Sequence, residues 1–359
     1  MKSIKLFAVC LLFISSAIDA QVVIKGNDTH IHYMGRVQTN DDNAHLQWSG
    51  TSAKLNFYGT GVKVLLKDEK GGNFFNVLID DKVTRIILLD NTQKEYMLAE
   101  NLPTGNHSVE LFKRTEAENG KTWLYQFILN DGARVLPAPA TKKRKIEFYG
   151  NSITCGLAMA DTVKGRNGDE NNYLAYGAIT ARHFNAEYSC IARSGIGIVV
   201  SWFPVIMPEL YDRLDETDPN SKWDFSKYTP DIVVTDLGQN DSWIVKQPAN
   251  DQYKARFGAA GPTEDLIVNA YVSFINTIRS KYPKAKIICG LGSMDATKEG
   301  SPWPGYVDKA IKKINSKDVY SIIFPYDTKA TNPFAHPSVA QHQQMADQLI
   351  AFIDQNIKW

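Results

Sequence analysis

Cysteine, net charge and long apolar runs are all scarce in this sequence. Four cysteines are spread over 359 residues, and beyond Cys10 near the start only Cys155, Cys190 and Cys289 follow. So sparse a set is not a disulfide framework, and without a Cys-x-x-Cys or Cys/His cluster a structural zinc site is not expected. Lysine and arginine number 40 against 39 aspartate and glutamate residues. The resulting formal charge of +1 gives no electrostatic reason to expect a nucleic-acid or membrane partner.

What the sequence does contain is enough apolar material for a large core. Hydrophobic residues make up 43% of the chain, charged residues 22% and aromatic residues 11%. These fractions exclude a disordered tail, a collagen-like rod and a coiled coil. At roughly 100–200 residues per domain, the length predicts two globular domains, and the balanced charge favours neutral or mixed-charge ligands.

The first twenty residues have the pattern of a signal peptide. Two lysines precede an uncharged stretch over residues 6–18, and the small residue Ala20 stands before Gln21. Thirteen uncharged residues fall short of the roughly 20 that span a bilayer, and no later segment is long and apolar enough for a membrane helix. We therefore expect residues 1–20 to be cleaved and the protein to be secreted or periplasmic.

Residues 21–136 alternate apolar and polar side chains in short runs that are broken by Gly, Asn and Asp. This alternation, at a spacing of about 10–15 residues, predicts the strands of a β-sandwich. The clearest of these runs are Lys54–Tyr58, Val62–Leu66, Phe75–Asp80 and Ser108–Phe112. Residues 137–145 carry two prolines followed by four basic residues, and we expect them to form a linker.

Over residues 146–359 the pattern changes to short apolar strands that alternate with amphipathic helices. The predicted strands are Ile146–Tyr149, Glu187–Ile191, Ile232–Leu237, Lys286–Leu291 and Val319–Phe324. The predicted helices are Asn172–Phe184, Glu264–Tyr282, Gly305–Ser316 and Ser338–Ile357. This alternation indicates an open parallel sheet with helices on both faces, whose ligands bind at the carboxyl ends of the strands.

Four chemically complementary residues follow the ends of these strands. Ser152 follows the first strand and Gly195 the second, while Asn240 follows the third and His336 the fifth. Acyl transfer needs such a set: a hydroxyl nucleophile, a base that takes its proton, and donors for an oxyanion. Taken singly, the serine could belong to an ordinary turn, the asparagine to a helix cap and the histidine to the start of the last helix. Their arrival at one edge of one sheet favours the catalytic interpretation.

The sequence resembles the SGNH (GDSL-like) hydrolases in four blocks, which are Tyr149–Thr154, Gly195, Gly238–Asp241 and His336–Ser338. The resemblance covers residues 145–359. With a β-sandwich before such a domain, the chain is similar to the two-domain carbohydrate esterase family 2, exported acetylesterases that deacetylate xylan and related plant polysaccharides. The resemblance implies a jelly-roll-like β-sandwich followed by an α/β/α flavodoxin-like domain with a five-stranded parallel sheet.

The resemblance also implies a role for each of the four residues. Ser152 would be the nucleophile, and His336 the general base that then protonates the departing alkoxide. The backbone N–H groups of Ser152 and Gly195 and the side-chain amide of Asn240 would form the oxyanion hole. The expected partner is an acetylated polysaccharide or oligosaccharide, and no cofactor or metal is expected.

One departure from the family pattern concerns the group that orients the histidine. Many of these hydrolases carry an aspartate three residues before it, where this sequence has Pro333. No carboxylate lies between Asp327 and His336. Some family 2 esterases work with a Ser-His dyad, so the resemblance implies a dyad here, in which a backbone carbonyl from residues 332–335 fixes the imidazole tautomer. Asp327 is the alternative orienting group.

Other residues carry weaker signals. Trp303 and Trp243 follow strands at the functional edge of the sheet and are predicted to bind substrate by stacking on a sugar ring, with packing beneath the loops as the alternative. His30 and His32 alternate on one strand but lack a clear third ligand, so no metal site is expected there. The glycines around Gly195 lack the third glycine of a dinucleotide-binding fingerprint.

Three functions remain open at this point. The first is a cofactor-free carbohydrate O-acetylesterase that forms an acetyl-serine intermediate. The second is an SGNH hydrolase for another ester, such as a peptidoglycan acetyl group, a lipid or a thioester. The third is a glycan-binding protein whose hydrolase site is catalytically silent. The intact set of Ser152, Gly195, Asn240 and His336 argues against the third function.

Overall fold

The computed structural model describes residues 21–159, 168–326 and 336–359. The first part of the chain forms antiparallel sheets and is called the sandwich part. The second part has a parallel sheet and helices and is called the α/β part. The predicted signal peptide, residues 1–20, lies outside the described ranges, as do Asp327 and residues 332–335. Export and the group that orients His336 therefore stay predictions.

Two antiparallel sheets form the sandwich part. Its strands are β1 (Val22–Lys25), β2 (Ile31–Met34), β3 (Val37–Thr39), β4 (Ala44–Leu46), β5 (Ser52–Gly59), β6 (Val62–Asp68), β7 (Phe74–Ile79), β8 (Lys82–Leu88), β9 (Lys94–Ala99), β10 (Gly105–Lys113), β11 (Thr122–Leu129) and β12 (Arg134–Val135). One sheet has the order β3-β4-β11-β6-β9, with β1 also paired to β11. The other has the order β12-β5-β10-β7-β8, with β2 also paired to β5.

The two sheets enclose a hydrophobic core. Along β5, Leu55 and Phe57 are fully buried while their neighbours Lys54 and Asn56 are not, because successive side chains of a strand point to opposite faces. Strand β6 repeats this alternation. Burial of each such apolar side chain stabilises the fold by about 1.5–3 kcal/mol. The sheet-rich N-terminal domain that the alternating pattern predicts is thus confirmed.

A parallel sheet forms the centre of the α/β part. Its described strands are β13 (Arg144–Gly150), β14 (Ala186–Ala192), β15 (Ile232–Asp236), β16 (Lys286–Gly292) and β17 (Val319–Phe324). Neighbouring strands are parallel, and their order is β14-β13-β15-β16-β17. This is the flavodoxin-like order, in which the chain reverses its direction of travel across the sheet beside the first strand. The predicted five-stranded parallel sheet is confirmed.

Helices cover both faces of this sheet. The described helices are α1 (Ser152–Cys155), α2 (Tyr176–His183), α3 (Met207–Leu210), α4 (Gln239–Ile244), α5 (Asp251–Phe257), α6 (Glu264–Lys281), α7 (Trp303–Ile314) and α8 (Val339–Asn356). Helices α6 and α7 share one apolar core with the sheet, and α2 and α8 share the other. None of these helices has both the length and the apolar character needed to cross a bilayer.

The cysteines that the structure describes are buried thiols. Cys155, Cys190 and Cys289 are all free. Burial raises the pKa of each thiol, and for Cys190 and Cys289 to about 12. All three therefore stay protonated near neutral pH and act as small hydrophobic side chains.

A buried polar contact joins the sandwich part to the α/β part. Arg36, between β2 and β3, donates to the backbone carbonyls of Tyr211 at 2.6 Å and Arg213 at 3.0 Å. The same guanidinium donates to the Tyr149 hydroxyl at 3.0 Å and lies 3.4 Å from Glu147 Oε1. Both charged side chains are fully buried. A lone buried charge is very costly, so this pair fixes how the two parts dock.

Candidate active site

A tight turn after β13 presents Ser152. The Oδ1 atom of Asn151 accepts a hydrogen bond from Ile153 N at 3.0 Å and so caps α1, which begins with the serine. A glycine is required before this turn, since a Cβ atom on Gly150 would lie 2.0 Å from the Oγ1 atom of Thr154. Ser152 is 8% exposed at this edge of the sheet.

His336 is the direct partner of this serine. Its Nε2 atom lies 2.8 Å from Ser152 Oγ, a distance at which the hydroxyl donates to the unprotonated ring nitrogen. The histidine is buried and stands two residues before Ser338, which caps α8. The predicted nucleophile and the predicted base therefore meet, although 184 residues separate them in sequence.

Gly195 lies in the loop that follows β14. This loop covers residues 193–202 and is called the 193–202 loop. Its φ of +82° is in the left-handed region, which glycine adopts at no steric cost. Among the described residues, neither Gly195 N nor Ser152 N donates a hydrogen bond. Both predicted oxyanion donors thus have a free backbone N–H group.

Asn240 is held by the 193–202 loop on both sides of its amide. Its Nδ2 donates to the Ile196 carbonyl at 2.8 Å, and its Oδ1 accepts from Trp202 Nε1 at 3.1 Å. These two bonds set the amide orientation and occupy one of the two N–H bonds of Nδ2. The other N–H bond is not used in these two contacts, and its predicted role as a donor to an oxyanion stays a prediction.

Asp241 stabilises the same loop, a role that the sequence did not reveal. Its carboxylate accepts from the backbone N–H groups of Ile198, Val199 and Val200 at 2.7–3.0 Å. Burial raises the pKa of this carboxyl, and the three backbone bonds oppose that effect. Gly197 leaves room for it, because a Cβ atom there would lie 2.6 Å from the carboxylate oxygens. The only sequence signal was its place directly after Asn240.

The prediction that Trp303 stacks on a sugar ring is wrong. Trp303 is the first residue of α7 and is only 3% exposed, with its ring packed against Gly238 and edge-on to Tyr306 at 5.5 Å. The helix turns this side chain into the core. Trp243 is half-buried, and its Nε1 donates to Asp295 Oδ2 at 2.8 Å. Stacking by Trp243 stays a prediction.

Trp202 is an exposed aromatic residue that contacts Asn240, one of the predicted oxyanion donors, and sequence reasoning missed it. It is 44% exposed, and its indole lies close to the position where a Cβ atom of Gly195 would stand. Its Nε1 bond to Asn240 fixes the ring at the mouth of the site. An available signal was that Trp202 follows the Gly195 block by a few residues on the same loop.

The histidine that neighbours His336 is uncharged, and the described residues offer no metal-binding cluster. Burial lowers the pKa of His342 to about 3, so the ring next to His336 carries no charge near neutral pH. Among the described residues no cluster of His, Cys, Asp or Glu could hold a metal. In particular, His30 bonds to Asp28 and His32 to Glu187.

The buried Asp236, at the end of β15, should make the free energy of unfolding depend on pH. Burial raises its pKa from 3.8 to about 7, so the folded state binds this proton more tightly than the unfolded chain. The stabilisation is complete below about pH 4 and is lost as the pH rises to about 7. D236N keeps a neutral side chain, so its free energy of unfolding should fall less than that of the wild type between pH 5 and pH 8, in urea titrations at the two pH values.

The exposed Asp354 on α8 supplies the matched control. D354N should lose stability over this pH range as the wild type does. If the free energy of unfolding changes with pH in the same way in D236N and the wild type, the prediction is contradicted. Asp236 would then have the same pKa in the folded and the unfolded chain.

Two family models match the chain. The one described as "Carbohydrate esterase 2 N-terminal" matches residues 33–139, and the one described as "GDSL-like Lipase/Acylhydrolase family" matches residues 148–343. The second match includes Ser152, Asn240 and His336.

Relatives and solved structures agree with these matches. The cellulase/esterase CelE of Acetivibrio thermocellus is 35% identical over 92% of this chain, which spans 40% of the length of that protein. An acetylxylan esterase / glucomannan deacetylase of Cellvibrio japonicus is 28% identical over 94% of this chain and 91% of its own length. A family two carbohydrate esterase from Clostridium thermocellum, in complex with cellohexaose, is 32% identical over 90% of this chain and 98% of that chain, with a TM-score of 0.79. This chain therefore belongs to carbohydrate esterase family 2, and its α/β part is a GDSL-like hydrolase domain.

Proposed function

We propose that the chain is a serine esterase that removes O-acetyl groups from plant polysaccharides such as xylan. The observation that carries this proposal is the 2.8 Å contact between Ser152 Oγ and His336 Nε2. The printed names of relatives support the substrate class, since one is an acetylxylan esterase / glucomannan deacetylase. A related family two esterase also binds cellohexaose.

The first half of the reaction transfers the acetyl group to the enzyme. Ser152 Oγ attacks the acetyl carbonyl carbon while His336 Nε2 takes the hydroxyl proton. The negative charge that develops on the carbonyl oxygen meets the N–H groups of Ser152, Gly195 and Asn240. The tetrahedral intermediate then expels the sugar alkoxide, which takes the proton from the imidazolium and leaves as a free hydroxyl.

The second half releases acetate. A water molecule gives a proton to His336 Nε2 and attacks the acetyl-serine carbonyl, and the same donors hold the second oxyanion. When this intermediate breaks down, Ser152 Oγ leaves and recovers its proton from the imidazolium. The neutral state of His342 supports this cycle, because a permanent positive charge beside His336 would oppose protonation of the base.

We further propose that His336 works in a dyad and that Trp202 binds the sugar. Pro333 stands where many related hydrolases have an aspartate, so a backbone carbonyl from residues 332–335 would hold the imidazole. The exposed indole of Trp202 offers an apolar face to a pyranose ring next to the oxyanion donors.

The nucleophile is tested by S152A. Acetate release from acetylated xylan and from a chromogenic acetyl ester should fall at least about a thousandfold, because no other hydroxyl replaces Ser152 Oγ. S280A, on the exposed face of α6, should keep full activity. Cleavage of the chromogenic ester alone by the wild type would contradict the polysaccharide substrate, and no cleavage of either would contradict the esterase.

The dyad is tested by D327A. If a backbone carbonyl orients His336, turnover of the chromogenic ester should stay within about tenfold of the wild-type rate. If turnover instead falls about a thousandfold, Asp327 has the orienting role. The variant must then unfold at the same urea concentration as the wild type, which shows that the fold is intact.

The role of Trp202 is tested by two variants that separate its ring from its N–H group. W202F keeps an aromatic face but cannot donate to Asn240 Oδ1, so it should lower kcat and leave KM for acetylated xylan within about threefold. W202A removes the face and should raise that KM about tenfold. KM for the small chromogenic ester should not change in either variant. An unchanged xylan KM in W202A would contradict sugar stacking.

A further inference from the structure

A carboxylate of the sandwich part reaches the loop that carries Gly195. Glu116 follows β10 in the segment 113–119 and is only 4% exposed. Its Oε2 accepts a hydrogen bond from Ser194 N at 2.7 Å, and its Oε1 accepts one from Ser194 Oγ at 2.6 Å. The Sγ atom of Cys155, at the end of α1, lies 3.6 Å from Oε2. One carboxylate thus contacts both the 193–202 loop and the helix of the nucleophile.

The neighbours of Glu116 hold this carboxylate in position. The backbone N–H of Glu116 donates to Glu170 Oε1 at 2.5 Å, and Asn119 Nδ2 donates to Glu170 Oε2 at 3.0 Å. The buried Lys113 Nζ donates to the carbonyls of Thr115 at 2.8 Å and Glu116 at 3.1 Å. The segment 113–119 is therefore braced on the α/β part at several points.

Gly195 needs an external restraint to aim its N–H group. Glycine can adopt many backbone conformations, and this one has a positive φ. The N–H in question belongs to the peptide group that joins Ser194 to Gly195. Because Glu116 binds both the N–H and the hydroxyl of Ser194, it limits rotation of that peptide from one side. On the other side, Trp202 N donates to the Gly195 carbonyl at 3.1 Å.

The chemistry of the contact also favours a positioning role. Burying a carboxylate is costly, and an apolar contact would join the sandwich part to the α/β part at a lower cost. What the carboxylate adds is two directional, charge-assisted hydrogen bonds to a single residue, Ser194.

We propose that Glu116 is a positioning residue for ester hydrolysis, which fixes Ser194 so that the Gly195 N–H points at the oxyanion. The inference rests on the proposed function and deepens it, because it makes the sandwich part a component of the oxyanion hole. Glu116 does not touch the substrate and acts only through Ser194 and Gly195.

The experiment compares E116Q and S194A with the wild type in the full chain. E116Q removes the negative charge and replaces one acceptor oxygen with an amide N–H group, which can meet Ser194 Oγ only as a donor. S194A removes the hydroxyl bond while leaving the carboxylate in place. For the chromogenic acetyl ester, kcat should fall about 10–100-fold in E116Q and less in S194A, with KM within about twofold, since the oxyanion exists only in the transition state and intermediates.

A control variant and a second readout separate this role from a structural one. K121A removes a bond across the same interface, from Lys121 Nζ to Asp215 Oδ2 at 2.5 Å, and should leave kcat unchanged. The second readout is the rate at which diisopropyl fluorophosphate labels Ser152, followed by mass spectrometry. In that step Oγ displaces fluoride from phosphorus, His336 takes the proton, and the phosphoryl oxygen occupies the oxyanion hole. E116Q should be labelled about 10–100-fold more slowly than the wild type.

The outcomes distinguish the two proposals. Wild-type kcat and labelling rates in both E116Q and S194A would overturn the positioning role, and so would a rise in KM with kcat unchanged. S194A carries the test if E116Q does not fold. If the wild type is labelled but does not cleave the acetyl ester, and E116Q is labelled more slowly, then the esterase proposal fails and the positioning role stands. If the wild type neither cleaves nor is labelled, both fail.

Discussion

The docking of the two parts of this chain depends on one buried ion pair. Arg36 comes from the sandwich part and Glu147 from β13 of the parallel sheet, and both are removed from water. Taking away one partner of such a pair costs about 3–5 kcal/mol, because the other charge is then left alone in the interior. The arginine Nη1 atom also donates to two backbone carbonyl groups of the α/β part. In the resulting arrangement, Glu116 of segment 113–119 contacts Ser194 and Cys155 of the α/β part.

The 193–202 loop is where the constraints on catalysis converge. Asn240 and Asp241 hold it from α4, and Glu116 holds it from the sandwich part. In the proposed mechanism, little reorganisation is then needed when charge develops on the substrate, and electrostatic stabilisation of this kind is usually the largest contribution to catalysis. In that mechanism the sandwich part supports the active site and is not a separate module on a linker.

The sequence predicted most of the fold and the contact between Ser152 and His336, but not the groups that surround them. Periodicity reveals strands, and parallel strands bring their carboxyl ends to one edge, so Ser152 and His336 could be placed together. Periodicity says nothing about irregular loops, where Trp202 lies. The inward rotation of Trp303 depends on where α7 begins, two residues before the predicted start. Glu116 is 78 residues from Ser194, and a contact of that range has no local sequence signal.

The three buried thiols have a consequence for how the protein is made. Each is reduced and held protonated by burial, and no cross-link among them closes a loop in the described ranges. Within the described ranges, non-covalent interactions stabilise the native state, without any covalent contribution from oxidation of these thiols. Folding therefore requires neither an oxidant nor a disulfide isomerase, and the same native state should form in a reducing cytosol and in an oxidising extracytoplasmic space.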